Sequence, residues 1–395
     1  MPSEKLKKEI TLRTKKFQES LQEQKIDGGI LVQKADIYYL TGTDQESHLW
    51  VPASGDPLLM VKKSLERSKL DSPLENIVPL SGYSQLPHLI EQHSGAGQNK
   101  IGLEMDILPV NFYQVYRKLF PSAELIDISP LIRSLRMVKS PHEISLIKAA
   151  ANIGDDLFTE IPLYLESAGT EIELAIKAEA FYRGKGHPGI VRMRGFNAEI
   201  VYGHIMAGKS SASASNSPGP TGGKGVGPFY SQGPANEPIE AHSPILVDYT
   251  SNAYGYLSDQ ARIFSRGVLD EKFYSSHNVM LEVHELLCQK ARPGIMAGDL
   301  YALALEIVKK AHLEEGFMGY PDPVSFVGHG VGLELDEWPV IGQDNRTILE
   351  SGMVFALEPK YVFPGQGVVG IENTVVVTEH GLKSLNLFPY EIVTC

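Results

Sequence analysis

The sequence predicts a two-domain protein in which an α/β domain precedes a larger domain of strands and helices. Its 395 residues are too many for one ordinary hydrophobic core, so we expect two domains. In the first third of the chain, short apolar runs alternate with helical patterns, as in α/β domains. A strong helix start near residue 140 then marks a boundary, and we place the domains at 1–137 and 138–395.

Patterns of apolar residues predict the elements of both domains. In the N-terminal domain we predict helices over 10–24 and 112–119 and strands over 28–33, 57–63, 100–105 and 124–129. Ser140 is placed to cap the next helix, Pro141 suits its first position, and Glu143 completes a capping box. That helix is expected to run to about Tyr164, and further helices are predicted over 171–183, 271–290 and 297–315. Strand pairs are predicted within 244–265 and 354–378.

The segment 207–238 is rich in Gly, Ser and Pro, which predicts a long loop. A loop of this length within a domain is either functional or a mobile surface feature, and the sequence favours neither.

Charge and cysteine content exclude several classes of protein. A net charge of −12 argues against a nucleic-acid surface, which needs clustered Lys and Arg. The two cysteines, Cys288 and Cys395, predict no disulfide framework and suit a reducing cytoplasm. The charged N-terminal segment lacks the apolar core of a signal peptide, and no apolar run approaches the ~18–20 residues of a membrane span. We therefore expect a soluble cytoplasmic protein without nucleic-acid or membrane partners.

Four carboxylates lie in strongly apolar strand patterns, namely Asp248, Asp259, Glu358 and Glu372. Asp248 ends the run ILVD, and Asp259 lies on the returning strand, where the two can converge. Buried carboxylates need a counter-charge. No run of Arg or Lys nearby supplies it, so a pair of divalent cations is the simplest interpretation.

His329 adds an imidazole between flanking glycines, in the string FVGHGVG. Carboxylates with one imidazole suit Mn, Co, Zn or Fe, and two such ions lower the pKa of a water held between them. Any one of these residues alone would equally suit a cap or a salt bridge. Their common context favours a site for two divalent metal ions.

The strings that carry these residues resemble the pita-bread metallohydrolases, which include methionine aminopeptidase, aminopeptidase P, prolidase and the metal-free creatinase. The matching strings are VDYTSNAYGYLSD, GHGVGLELDEWP, ALEP and GIENTVVVT. YLTGT and RMVKSPHEISLIKAAANIGDDLF resemble the creatinase-like N-terminal domain. The resemblance implies an α+β pita-bread C-terminal domain, in which a curved antiparallel sheet carries helices on its outside. It also implies that the metal ligands are Asp248, Asp259, His329, Glu358 and Glu372. Glu358 would in addition handle the proton of the metal-bound water.

Three positions depart from the family pattern. Counting back from Asp248 places Ser231 where active members carry a histidine, Asp336 replaces a second histidine, and Gly370 replaces an arginine. The lost histidines normally hydrogen-bond the substrate and the tetrahedral intermediate. We expect Ser231 and Asp336, with Glu358, to act in catalysis, and His204 and Gly370 to lie at the substrate. Lys209 and Lys224 of the long loop are further candidate donors.

The resemblance implies an Xaa-Pro aminopeptidase or dipeptidase, and the altered substrate shell predicts poor cleavage of standard Xaa-Pro dipeptides. Two alternatives stay open: a metal-dependent non-peptidase acting on a small amide or carboxylate, and a weakly active or inactive pseudo-peptidase that only binds. The resemblance also implies a homodimer. His48 and Trp50 would then approach the partner's active site, unless they form a partly buried pair within their own domain.

Overall fold

The computed structural model describes residues 3–216 and 218–395, which divide into two units. The first unit extends to Arg136 and takes in Arg194–Ala198, and the second comprises Met137–Met193 and Glu199–Cys395. No helix among the described residues is long and apolar enough to cross a membrane.

A mixed six-stranded sheet organises the first unit, with strand order β4-β3-β2-β1-β5-β6. The strands are β1 (Gly28–Leu31), β2 (Ser47–Pro52), β3 (Leu58–Val61), β4 (Ile77–Pro79), β5 (Lys100–Leu103) and β6 (Glu124–Asp127). The helices are α1 (Glu4–Glu23), α2 (Lys34–Thr41), α3 (Leu65–Asp71), α4 (Leu86–Ser94), α5 (Val110–Leu119) and α6 (Ser129–Met137). β1 pairs with β5 in parallel and with β2 in antiparallel orientation. The predicted α/β class is confirmed, although β2 and β4 were not predicted.

Trp50 fills the centre of this unit. A Cβ atom at Gly28 would lie 2.2 Å from the Trp50 indole, so only glycine lets the ring lie against β1. The indole Nε1 donates to Ser94 Oγ at 2.8 Å, and His48 Nε2 is 2.7 Å from Tyr116 Oη. Both His48 and Trp50 are buried within their own unit. Their burial favours the alternative that the two residues form a buried pair within their own domain.

A nine-stranded sheet organises the second unit, with the path β11-β10-β12-β15-β9-β8-β7 and with β16 on β15 and β17 on β9. Its strands are β7 (Gly203–Ala207), β8 (Pro244–Ala253), β9 (Tyr256–Ser265), β10 (Phe326–Val331), β11 (Leu335–Gly342), β12 (Val354–Leu357), β15 (Glu372–Thr378), β16 (Gly381–Ser384) and β17 (Val393–Thr394). β13 (Lys360–Phe363) and β14 (Gly367–Gly370) form a separate antiparallel pair. All pairings in the nine-stranded sheet are antiparallel except that of β17 with β9.

Helices cover this sheet through two apolar clusters. The helices are α7 (Pro141–Leu165), α8 (Glu171–Gly184), α9 (Glu271–Lys290) and α10 (Ala297–Lys310). One cluster joins α7 and α8 to β7, β8 and β9, and the other joins α9 and α10 to β10, β12 and β15. The predicted capping box is present, because Ser140 Oγ accepts from the Glu143 amide and the Glu143 side chain accepts from the Ser140 amide. α10 ends five residues before the predicted Glu315, and α9 has the predicted limits.

The connection from β7 to β8 is anchored by a buried carboxylate. Glu171 Oε1 accepts from the Ala207 amide at 2.6 Å, and Glu171 Oε2 accepts from Ser210 Oγ at 3.1 Å and the Ala235 amide at 2.8 Å. Apart from a short 3₁₀ turn at Gly208–Ser210, the described part of this connection is irregular, as predicted. Because Glu171 fixes both of its ends, the interpretation as a purely mobile surface loop is not supported.

Candidate metal centre

Five strands or strand ends bring the predicted metal ligands together. In the β8–β9 hairpin Asp248 lies opposite Ala261 and Thr250 opposite Asp259, so both aspartates point to one face of the sheet. Glu358 directly follows β12, Glu372 begins β15, and His329 lies on β10. Asp248 lies in the middle of β8 and not at a strand end, which corrects the local prediction.

The side chains of three of the four carboxylates lie within 4 Å of His329. Its Nε2 atom is 3.8 Å from Asp259 Oδ2, 3.6 Å from Glu358 Oε1 and 3.9 Å from Glu372 Oε1. One ligand atom from each of Asp259, His329 and Glu372 lies within 4.8 Å of the others, and all three residues are buried. Buried carboxylate and imidazole donors at this spacing fit a first-row divalent cation.

Lys360 supplies positive charge that sequence reasoning did not find. Its Nζ donates to Asp248 Oδ2 at 2.9 Å, Glu358 Oε2 at 2.8 Å and Glu372 Oε2 at 2.6 Å, and the residue is only 1% exposed. The counter-charge was sought in a run of Arg or Lys, and this single lysine was therefore missed. A signal was available, because Lys360 stands two residues after Glu358 and alternate residues of an extended segment share a face.

The protonation equilibria show how much negative charge is concentrated here. Burial, reinforced by Asp248, raises the pKa of Asp259 to about 7, although His329 and Lys360 oppose the shift. Burial and the charge of Asp259 also raise the pKa of Glu372 well above its usual value. Burial alone would lower the pKa of Lys360, but the carboxylates around it raise that pKa well above its ordinary range. Such a cluster is stabilised by further positive charge, and a divalent cation supplies it.

Asp336 lies beside the imidazole on the side away from the carboxylate cluster. Asp336 Oδ1 is 3.2 Å from His329 Nδ1, while Nε2 of the same ring faces Asp259, Glu358 and Glu372. Asp336 has a φ of +59°, a left-handed conformation that aspartate tolerates better than most residues. Burial would lower the pKa of His329, but Asp336, Glu358 and Asp259 outweigh it and raise that pKa.

Neighbouring polar groups hold the ligand carboxylates in place. Thr250 Oγ1 donates to Asp259 Oδ1 at 3.1 Å, and the Asp259 amide donates to Thr374 Oγ1 at 2.8 Å. Arg262 Nη1 donates to the Glu372 carbonyl at 2.8 Å. These contacts fix the strands that carry two of the ligands, as hydrogen bonds to ligand residues commonly do at metal sites.

His204 opens onto the same cleft. It lies on β7 opposite Asp248 and is 8% exposed, and its Nε2 atom is buried without a hydrogen-bond partner. Burial lowers the pKa of this imidazole, although Asp248 opposes the shift, so the ring is neutral near pH 7. The remaining cleft walls include Ile200, Pro218, Gly219, Pro220, Thr221, Phe326 and Leu335.

The structure does not bring the other predicted residues into the cleft. Ser231 is exposed and lies outside its lining, because the residues before β8 form an irregular connection and not the continuous strand that the register count assumed. Gly370 also lies outside the lining and faces Lys360 across the β13–β14 pair. Lys209 and Lys224 are absent from the lining too, and Lys224 Nζ pairs with Glu237 at 2.9 Å.

Buried carboxylates and one imidazole, gathered on one face of an antiparallel sheet beside a cleft, form a site that suits a divalent metal ion and metal-dependent hydrolysis. Comparison with known families agrees: the pattern of Metallopeptidase family M24 matches residues 145–379, and that of the Creatinase/Prolidase N-terminal domain matches residues 13–138. The chain belongs to metallopeptidase family M24.

Individual relatives extend over nearly the whole chain. An Xaa-Pro dipeptidase of Pyrococcus furiosus is 26% identical over 96% of this chain and 99% of its own length. An Xaa-Pro dipeptidase of Lactobacillus helveticus is 30% identical over 71% of this chain and 69% of its own. The crystal structure of a dipeptidase from Pyrococcus horikoshii OT3 shares 28% identity, covers 97% of this chain and 100% of its own, and superposes with a TM-score of 0.77.

These likenesses confirm several predictions. The family, the creatinase-like N-terminal domain, the pita-bread C-terminal fold and a metallopeptidase function of the prolidase type are all confirmed. A divalent-metal requirement follows from the family and fits the ligand cluster. The alternative of a metal-dependent non-peptidase is not favoured.

Proposed function

We propose that this protein hydrolyses short peptides that have proline at the second position, as an Xaa-Pro dipeptidase or aminopeptidase. The observation that carries the proposal is the convergence of the predicted ligands in one cleft: Asp248, Asp259, His329, Glu358 and Glu372. The names of the Pyrococcus and Lactobacillus relatives support the substrate class. A divalent ion bound here polarises a carbonyl oxygen and lowers the pKa of a water.

The positions of the residues in this cluster support specific roles in metal binding and proton transfer. Asp259, His329 and Glu372 would hold a divalent ion, and Glu358, whose Oε1 atom lies 3.6 Å from His329 Nε2, would take up the proton of the attacking water. Asp336 keeps the proton of His329 on Nδ1, which leaves Nε2 free as a ligand atom.

His204 is the group that we propose for substrate binding. Its unpartnered Nε2 atom can bond a carbonyl or a terminal group of the peptide, which relieves the cost of burying it. Pro218, Pro220 and Phe326 give the cleft apolar walls that suit a proline ring. Since Ser231 lies outside the cleft, restoring a histidine at that position is not expected to raise activity.

Other properties stay predictions from the sequence. We propose domain limits of 1–137 and 138–395, which the two compact units support. A cytoplasmic location is proposed from the two free cysteines, and a homodimer from the family resemblance. Mn, Co, Zn or Fe all suit the donors. A pair of ions, as the sequence predicts, requires the Lys360 ammonium to leave the carboxylates that it now contacts.

Hydrolysis of a peptide panel tests this function. Protein loaded with Mn²⁺ or Co²⁺ is assayed against Xaa-Pro and Xaa-Ala dipeptides and tripeptides, with Asp259→Asn as the metal-deficient control. We expect cleavage of Xaa-Pro substrates with kcat/KM below ~10⁴ M⁻¹s⁻¹, the lower end of the usual enzyme range, because the substrate shell is altered. Metal-loaded protein that cleaves none of these peptides would refute the proposal.

A further inference from the structure

Two glutamates of the metal centre divide their oxygens between two positive groups. The Oε1 atoms of Glu358 and Glu372 lie 3.6 and 3.9 Å from His329 Nε2. Their Oε2 atoms lie 2.8 and 2.6 Å from Lys360 Nζ. Carboxylates that bridge two metal ions present their oxygens in this divided way. Here the ammonium of Lys360 lies where one of those two cations would be expected.

The His329 side of the cluster suits a single ion. Tetrahedral ligands with bonds of about 2.0–2.2 Å are separated from one another by roughly 3.4 Å. The separations of His329 Nε2 from Asp259 Oδ2, Glu358 Oε1 and Glu372 Oε1 are 3.6–3.9 Å. Among the described residues, Asp259, His329 and Glu372 also offer ligand atoms that all lie within 4.8 Å of one another, so a small contraction of this group forms a three-ligand site.

The carboxylate oxygens on the Lys360 side of the cluster already contact a positive charge. Its ammonium contacts one oxygen each of Asp248, Glu358 and Glu372 at 2.6–2.9 Å. Neither Asp248 nor Glu358 belongs to the group of residues that can hold an ion jointly with His329. A second divalent ion between Asp248 and Glu372 would have to share these oxygens with a positive charge in direct contact, which Coulomb repulsion opposes.

Gly370 makes this position of Lys360 feasible. The two residues face each other across β13 and β14, and a Cβ atom at Gly370 would lie 2.7 Å from Lys360 Cα and 3.0 Å from Lys360 Cγ. Any larger residue there would therefore displace the lysine backbone or stem. The unusual glycine and the buried lysine form one structural unit, in which the small residue gives the ammonium access to the cluster.

We propose that Lys360 replaces one of the two metal ions, so that each chain holds a single divalent ion on Asp259, His329 and Glu372. The inference rests on the proposed function in one respect, because it concerns the same metal centre. It does not depend on the substrate.

Metal stoichiometry tests the inference directly. The full chain is stripped of metal, dialysed against excess Mn²⁺, and analysed for bound metal and by electron paramagnetic resonance. We expect one Mn²⁺ per chain and no exchange-coupled pair in the unmodified protein. Lys360→Met, which keeps the stem but removes the charge, should bind two ions and show the coupled signal. Lys383→Met, at an exposed lysine on β16, is the matched control and should bind one.

Each outcome either supports or contradicts a single bound ion per chain. Two coupled ions in the unmodified protein, no bound ion, or a single ion in folded Lys360→Met would overturn the inference. If Lys360→Met does not fold by circular dichroism, Lys360→Gln takes its place with the same expectation, and the stoichiometry of the unmodified protein stands by itself. One bound ion without peptide hydrolysis would count against the proposed function alone, whereas hydrolysis with two bound ions would count against this inference alone.

Discussion

The imidazole of His204 is held at the cleft by β7, opposite Asp248, with Nε2 buried and unpartnered. If this atom bonds the substrate in the transition state, His204→Ala should lower kcat/KM about 100-fold. This factor corresponds to the ~2.7 kcal/mol of transition-state stabilisation that one lost hydrogen-bond donor costs in a site without water. Bound metal should not change. His380→Ala, at an exposed position, is the control for kinetics and metal content. Unaltered kinetics in His204→Ala would exclude the role.

Asp336 contacts the far side of the ligand imidazole, and its effect should appear in metal affinity. Asp336→Asn keeps the shape and tolerates the left-handed backbone but removes the charge that faces His329 Nδ1. Loss of such a partner weakens metal binding by ~10–100-fold, which isothermal titration with Zn²⁺ measures. Asp344→Asn is a matched control, since Asp344 also has a positive φ but is exposed. Equal affinities in the two variants would contradict the positioning role.

The parts of the site that the sequence predicts lie on or next to strands with a clear apolar pattern. The β8–β9 hairpin, the strand β12 that precedes Glu358 and the strand β15 that begins with Glu372 show local apolar patterns, so the ligand carboxylates are recognisable from the chain alone. The cleft walls are not, because several of them lie on an irregular connection. For Lys360 the sequence shows only its spacing from Glu358, and its contacts with Asp248 and Glu372 depend on the pairing of β13 with β14. Counting residues through that connection placed Ser231 at the site wrongly, since register is defined only within a strand.

Helix α7 begins with a capping box whose contribution can be measured. Ser140 Oγ accepts from the Glu143 amide at 3.2 Å, and an alanine there would leave that donor unpaired. Ser140→Ala should lower the free energy of unfolding by about 1 kcal/mol in urea titrations. Ser145→Ala provides the comparison within the same helix, because Ser145 is exposed and bonds only the nearby His142 carbonyl; it should change stability by less than about 0.5 kcal/mol. Equal losses in the two variants would show that the cap has no special role.

Buried neutral histidines should make the second unit sensitive to acid. Burial, with a smaller effect of Arg262, lowers the pKa of His284 to about 3, and burial lowers that of His277 to about 4. Because these values lie below the unfolded value of about 6.5, the unfolded chain takes up protons first as the pH falls. The contribution of these two histidines to the free energy of unfolding is therefore fully present above pH 6.5 and is lost progressively below it.

His284→Gln tests this linkage. Between pH 6.5 and pH 5, the free energy of unfolding of the unmodified protein should fall by roughly 1.5 kcal/mol because of His284. The variant should not show this part of the loss. Unfolding is followed at several pH values, with His88→Gln at an exposed site of α4 as the control. A pH dependence that is the same in both variants would show that His284 does not contribute to acid sensitivity.

The activity proposed for this protein requires a metal ion bound at one place in the second unit. The most direct measurement is a crystal structure of Zn²⁺- or Mn²⁺-loaded protein with anomalous scattering data at the metal edge. We predict a peak about 2.0–2.3 Å from His329 Nε2 and from carboxylate oxygens of Asp259 and Glu372. Loaded, well-ordered crystals without a peak among these side chains, or with the ion held by other residues, would contradict the assignment of the metal centre.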